Sequence, residues 1–175
     1  MAEAVFAGAQ DKEIDGVSVR MLQAQEACAS DLLWANALIL GTPENFGYMS
    51  GALKDFFDRT FYVVEGKIPP LPYSVFISAG NDGSGALRSI ERIANGYPFI
   101  SVQPAIICKG VPSSDDLKSC SEMGQALAAG LELAMDILRR KRNTNKQIFM
   151  ITDGKPSCIR MPNGEFYKNS NGLDK

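Results

Sequence analysis

The chain contains no histidine. That single absence removes Ser-His-Asp and Cys-His catalysis, imidazole acid–base work and histidine-bearing metal sites. Any chemistry here must be carried by a cofactor or a carboxylate. Cysteine is scarce too. Cys28, Cys108, Cys120 and Cys158 are widely scattered with no CxxC pair, which points to free thiols in a reducing cytoplasm rather than a disulfide or zinc framework. No apolar run approaches the length of a membrane span. The N-terminal MAEAVFAGAQDKE lacks the basic region and apolar stretch of a secretory leader. Excess charge is missing as well: a net charge of −2 gives no general pull towards nucleic acid or anionic lipid. The expectation is a cytoplasmic protein without nucleic-acid or membrane partners.

What is present is enough for one ordinary domain. The 175 residues are 45% apolar, and sixteen glycines indicate a turn-rich α/β architecture. MAEAVFAGAQ reads as a short amphipathic helix with Met1, Val5 and Ala9 on one face. IDGVSVRML holds a turn and a strand at about Val17–Leu22, and a strong apolar strand covers Ala37–Leu40. From Ser50, which can cap it, a helix places Leu53, Phe56, Phe57 and Thr60 or Phe61 at helical spacing. YSVFISAG is the next strand, LRSIERIANGYP a helix, and PAIICKG another strand. The longest helix is expected from about Ser114 to Arg142, with Leu117, Cys120, Leu127, Leu131, Met135 and Leu138 along one stripe. Strands that are apolar on both faces and alternate with helices predict an open, parallel sheet buried on both sides. Ligands of such sheets bind beyond the carboxyl ends of the strands. Two loops fall there, GTPENFGYMS and SAGNDGSGA.

In the first loop, Pro43 stiffens the exit from the strand and Gly47 lets backbone approach a ligand closely. Phe46, Tyr48 and Met49 offer flat or soft apolar surface, and Asn45 and the loop amides offer hydrogen bonds. That combination suits a planar heteroaromatic ring with polar edges; Phe46 and Met49 packed under the loop is the plainer alternative. The second loop, with Gly80, Gly83 and Gly85, is permissive backbone fit to wrap a ring or a phosphate. It matches neither GxxxxGK[ST] nor GxGxxG.

The stretch LILGTPENFGYMSGALKDFFDRT resembles the segment that follows the third strand in the flavodoxin-like NAD(P)H-dependent FMN reductase and quinone reductase families. SVFISAGNDGSGALRSIERI is similar to the segment after their fourth strand, and SEMGQALAAGLEL to their closing helix. The resemblance covers about residues 1–133. It implies a flavodoxin-like three-layer sandwich that holds FMN. Thr42, Pro43, Glu44, Asn45, Phe46, Gly47 and Tyr48 would line one side of the flavin, with Ser78, Ala79, Gly80 and Asn81 opposite. The partners implied are NAD(P)H and a small electron acceptor such as a quinone or flavin, and relatives of this fold commonly form homo-oligomers. The flavin then does the chemistry, no catalytic side chain or metal is required, and the missing histidine is no obstacle.

Two departures from the pattern stand out. The family's first strand and its Ser/Thr-rich phosphate loop precede the first helix, whereas Met1 already lies in that helix. The C-terminal RRKRNTNKQIFMITDGKPSCIRMPNGEFYKNSNGLDK instead resembles part of a von Willebrand factor A-like domain, whose strand ending in ITDG carries a metal-site aspartate, here Asp153. Without the rest of that motif a turn-forming Asp-Gly is the expected role. The chain thus divides into a flavodoxin-like domain, 1–142, and an appended segment, 143–175. QIFMIT, Gln147–Thr152, is apolar throughout, as a strand buried on both faces must be. It is expected to return through NTNK into the vacant central slot, bringing Thr152, Lys155 and Ser157 near the phosphate position. CIRMPNGEFYK is expected to form a small hairpin. The basic cluster Arg139–Arg142 reads as a complement to the helix dipole rather than a nucleic-acid patch. A non-catalytic scaffold with the same fold, and a metal-dependent module through Asp153, are the competing readings.

Overall fold

The computed structural model describes residues 1–138, 146–153, 158–160 and 166–168. In chain order its elements are α1 (Ala2–Ala9), β1 (Val17–Gln23), α2 (Ala29–Trp34), β2 (Ala37–Asn45), β3 (Tyr48–Met49), α3 (Gly51–Val64), β4 (Leu71–Ala79), α4 (Ser84–Ala94), β5 (Phe99–Ser101), β6 (Ile106–Lys109), α5 (Ser114–Leu138), β7 (Lys146–Thr152), β8 (Cys158–Arg160) and β9 (Phe166–Lys168). β1, β7, β2, β4 and β5 lie side by side in that order, all parallel. β6 pairs with β4 further along the edge that β5 occupies, and β3 folds back antiparallel on β2, completing a seven-stranded sheet.

The central position is held by β7. It pairs with β1 over its whole length, from Val17↔Lys146 to Gln23↔Thr152, and with β2 from Ala37↔Ile148 to Gly41↔Thr152. The expected return of the C-terminal segment into the sheet is what the structure shows. The reason lies in its composition: Ile148, Phe149, Met150 and Ile151 are all wholly buried, and only a strand covered on both faces can bury four consecutive apolar side chains. Its ends are fastened. The Gln147 amide donates to Asn36 Oδ1 (3.1 Å), the Asn36 amide donates to the Gln147 carbonyl (2.8 Å), and the Ala24 amide donates to the Thr152 carbonyl (2.9 Å).

Alternation along the strands builds three layers. Leu38, Leu40, Val75, Ile77, Phe149 and Ile151 face α2, α3 and α4, where Leu32, Leu53, Phe56, Phe57 and Ile90 meet them. Ala37, Ile39, Phe76, Ile148 and Met150 face the other way, onto Val5 and Ala9 of α1 and Cys120, Met123 and Leu127 of α5. α1 and α5 approach through glycine: a side chain at Gly8 would overlap the Ser121 carbonyl, and one at Gly124 the Val5 carbonyl.

Several elements depart from the pattern reading. β2 does not stop at Leu40 but runs through Gly-Thr-Pro to Asn45, because β4 continues beside it through Thr42↔Ile77 and Pro43↔Ser78. Pro43 lies past the last β7 pair, where β2 has become an edge and a missing amide is tolerated. β5 is only three residues long, too short for a periodic signal. On α5 the inward stripe begins at Cys120; Leu117, a turn earlier, is exposed. β8 and β9 pair antiparallel as the expected hairpin arms, Cys158↔Lys168 to Arg160↔Phe166. The expected boundary at 142/143, the basic cluster Arg139–Arg142, most of the NTNK return, Lys155, Ser157 and the hairpin turn lie outside the described residues. Among the described residues, no helix is long and apolar enough to cross a membrane and no group of acidic or cysteine side chains forms a metal cluster.

Candidate functional site

Parallel pairing brings the C-terminal ends of β7, β2 and β4 to one edge of the sheet, side by side. There Glu44 and Asn45 pair with Met49 and Tyr48 as a tight hairpin. Its two central residues both have positive φ, 52° at Phe46 and 71° at Gly47, the geometry of the turns whose twist matches that of the flanking strands in two-residue hairpins. A glycine accepts that conformation freely; a phenylalanine does so at a cost. Nothing in the fold repays it by burial, since the Phe46 side chain is fully exposed at 106%. Tyr48, at 43%, stands beside it. Two aromatic faces are thus held out at the sheet edge by a strained turn.

The other residues singled out from sequence fall around this tip with distinct roles. Thr42 is buried; its hydroxyl donates to the Pro43 carbonyl (3.0 Å) and accepts from the Ser50 amide (3.1 Å), which fixes the start of α3. Ser50 then caps α3, accepting from the Leu53 amide (3.2 Å). On the neighbouring strand Ser78 and Gly80 are half-buried, Ala79 is buried and Asn81 is exposed. Ser78 lies between Pro43 on one side and Cys108 on the other. Thr152 and Asp153, half-buried, end β7 on the other side of β2. The sequence-predicted residues from Thr42 to Tyr48 and from Ser78 to Asn81 therefore come together at one edge.

Glu44 is the exception in orientation. Its carboxylate reaches across to α4 and accepts from the amides of Gly83 (3.2 Å), Gly85 (3.0 Å) and Ala86 (3.2 Å) at the start of that helix. Asp82 accepts from the Ser84 amide (2.8 Å), and that hydrogen bond holds its carboxyl below the usual value. The first-turn amides of α4 are thereby satisfied from within the chain. This explains why α4 starts at Ser84, three residues before LRSIERIANGYP, despite a glycine at its cap. It also rules out the phosphate role the glycine-rich loop suggested at those amides, because a second anion would meet a carboxylate already in place.

Sequence reasoning missed the roles of three residues further along α3. In the Asp-Arg-Thr that closes the signature stretch, Asp58 takes Lys54 Nζ (2.6 Å) and Arg59 donates to the carbonyls of Ala24 (2.9 Å) and Ala27 (3.1 Å), pinning the turn after β1. The Thr60 hydroxyl lies 2.8 Å from that of Tyr97, which donates to the Phe57 carbonyl at 2.6 Å. Arg59 thus fastens the turn that follows the end of β1, while the Thr60–Tyr97 pair packs α3 towards the start of β4, away from the strand-end edge. A long-range cap gives no local signal; the charged Asp-Arg-Thr at the end of an amphipathic helix was the one available hint.

The two buried thiols are poor nucleophiles. Burial pushes the Cys108 thiol up to about 12 and raises that of Cys120, so both stay protonated near neutral pH. A cleft of about 390 Å³ between Pro72, Val102, Gln103, Ala126, Leu127 and Leu131 opens at the start of β4, the opposite end from Ala79. Its Gln103 amide is spent on the Met123 carbonyl (3.3 Å). The residues singled out from sequence lie at the strand-end edge instead.

Residues 8–103 match the protein family described as NADPH-dependent FMN reductase. A flavodoxin from Aquifex aeolicus (strain VF5) is 30% identical over 152 residues, covering 78% of this chain and 81% of that protein. An NAD(P)H dehydrogenase (quinone) from Syntrophus aciditrophicus (strain SB) is 28% identical over 123 residues, 64% of this chain and 61% of its own length. Among solved structures, a flavodoxin from the domain Archaea shares the fold with a TM-score of 0.61 and 24% identity, over 74% of this chain and 86% of that one.

Proposed function

The chain belongs to the NADPH-dependent FMN reductase family, whose cofactor is FMN, and on that premise we propose that its strand-end edge holds the flavin of an NAD(P)H-dependent oxidoreductase. The observation that carries this reading is the Phe46–Gly47 tip. An aromatic residue kept in the left-handed region, and wholly in solvent, is accounted for by a flat ligand that covers it. The residues present fit such a ring. Phe46 and Tyr48 supply faces to stack on, Gly47 lets the backbone approach, and the Ser78–Asn81 segment closes in from the next strand. The FMN phosphate would be held by the Thr152 hydroxyl, which ends β7 next to β2, with Lys155 and Ser157 shortly after it in sequence.

FMN held at this edge would supply the redox chemistry, accepting a hydride from a reduced nicotinamide and delivering electrons to an acceptor. The chain's own residues orient the ring and exclude water from one of its faces, and no side-chain acid or base is demanded of them. That matches a chain without histidine whose two buried thiols are held protonated. A quinone, or a free flavin, is the acceptor class we propose; the quinone dehydrogenase named above favours the former.

The test is a titration of purified protein with FMN, following flavin fluorescence, beside riboflavin as a phosphate-free control. The reading expects FMN to bind at least about tenfold more tightly than riboflavin, since a phosphate held by charge-assisted hydrogen bonds is worth more than about 1.4 kcal/mol. Stoichiometric flavin should then be reduced by NADH or NADPH and reoxidised by a soluble quinone. A protein that quenches neither flavin would sink the proposal.

A further inference from the structure

The chain spends one carboxylate on an unusual task. Glu44 sits on β2, at the base of the hairpin that carries the aromatic tip, yet its side chain caps α4, about forty residues on. The cap position itself is Gly83, in the left-handed region at φ 72° and with no side chain to offer. Two more contacts tie the same elements together. The Met49 amide, on the returning arm of the hairpin, donates to Ser89 Oγ (3.2 Å), and Ser89 Oγ donates to the Ala86 carbonyl (2.8 Å). The Gly47 carbonyl rests against Gly85, where any side chain would collide with it.

Three groups from one hairpin therefore meet the first turns of α4: a carboxylate at its base, a carbonyl at its tip and an amide on its second arm. A two-residue hairpin with a non-glycine residue at positive φ has little intrinsic preference for one pose. The clasp supplies that preference from outside, and it is charge-assisted, since an anion sits at the positive end of an eleven-residue helix.

We infer that Glu44 is a positioning residue: by capping α4 it locks the β2–β3 hairpin to the loop after β4, setting where the Phe46–Gly47 tip stands relative to Ser78–Asn81 and so the width of the slot that takes the flavin ring. The inference rests on the flavin reading for its ligand but not for the clasp. A carboxylate is needed for its two acceptor oxygens. Oε2 serves Gly83, while Oε1 serves Gly85 and Ala86, so a carboxamide leaves an amino group facing an amide donor.

The experiment compares the wild-type chain with Glu44→Ala and Glu44→Gln. It measures FMN affinity, the visible circular dichroism of bound flavin at saturation, and amide hydrogen exchange at Gly83, Gly85 and Ala86. Glu44→Ala should weaken FMN by about tenfold to a hundredfold, alter the flavin dichroism, and speed exchange at those amides. Glu44→Gln should fall between the two. Wild-type affinity and dichroism in both variants overturns the inference. Should Glu44→Ala fail to fold, Glu44→Gln decides alone, and unchanged dichroism in it overturns the inference. If the wild-type protein binds no FMN while exchange at Gly85 and Ala86 still rises in the variants, the flavin reading falls, and with it the slot-setting role.

Discussion

The carbonyl of Gly47 lies against the α-carbon of Gly85, in the space that a methyl group at position 85 would fill. The two residues belong to different loops at neighbouring strand ends, and their contact is where the ring-holding tip meets the helix that supports it. A contact this close tolerates only glycine on the helix side.

Gly85→Ala should therefore act as a wedge. Overpacking of a tight backbone contact costs about 1–3 kcal/mol, and here the tip is the part free to yield, because the helix is packed through Ala86 and Ile90. The expected result is a modest loss in urea-denaturation stability together with a loss of FMN affinity of about tenfold or more. Stability loss without a change in affinity would mean that the tip does not touch the flavin.

Phe149 tests the central strand. It is wholly buried, edge-on to Phe56 at 6.4 Å between ring centroids, and sits in β7 between β1 and β2. Phe149→Ala should cost about 3–5 kcal/mol by urea denaturation. If the segment were only a tail laid outside the sheet, the substitution would change stability by less than about 0.5 kcal/mol.

The parts of the molecule legible from sequence are those in which one residue's neighbours along the chain set its environment. Leu53, Phe56, Phe57 and Thr60 show helical spacing and are buried as that spacing requires. Within Gln147–Thr152 the four residues Ile148–Ile151 are all apolar, which is readable as a doubly covered strand even though its partners are more than a hundred residues earlier. What was not legible depended on groups brought together only by folding. The Glu44 cap joins residues about forty apart. The continuation of β2 through Pro43 needs β4 beside it and β7 ending early. At the candidate site, the sequence singles out the loop that holds Phe46, but its strained φ and full exposure, which favour a ligand over packing, are properties of the folded chain.

Asp31 links the fold to acid. Its carboxylate is almost wholly buried and lies 2.6 Å from Arg20 Nη1, while its second oxygen accepts from the Cys28 amide (2.9 Å) to complete the start of α2. Burial alone would raise its pKa, but the Cys28 amide and the Arg20 guanidinium outweigh it and hold the carboxyl below its ordinary 3.8. A carboxyl depressed in the folded state contributes stability above its unfolded pKa and loses it as pH falls through the folded one. The wild-type protein should thus lose part of its stability below about pH 4 through this group. Asp31→Asn should be about 1–2 kcal/mol less stable at pH 7 and show a flatter decline in acid, read from denaturation midpoints at stepped pH. Parallel declines in the two proteins would show that Asp31 titrates alike folded and unfolded.

Tyr97 makes the mirror argument in alkali. Its ring stacks on Phe99 at 4.8 Å and its hydroxyl is shared between Thr60 and the Phe57 carbonyl, so the Thr60 that closes the signature stretch reaches its partner well beyond the segment that carries it. Burial pushes the phenol from its ordinary 10.0 up to about 12. A group whose folded pKa is raised contributes stability that is full below the unfolded pKa and drains away as pH climbs to the folded one. The window is therefore about pH 10 to 12, and the loss across it is on the order of 2 kcal/mol. Tyr97→Phe abolishes that slope, since it has no proton to lose, while costing about 1 kcal/mol at neutral pH for the donor taken from the Phe57 carbonyl. Measured as urea midpoints from pH 8 to pH 12, the two curves should approach and then cross as pH rises, the wild type ending as the less stable. If they stay parallel, the hydroxyl is not held in the dry contact between α3 and the turn after α4, and the packing around the start of β4 would have to be redrawn.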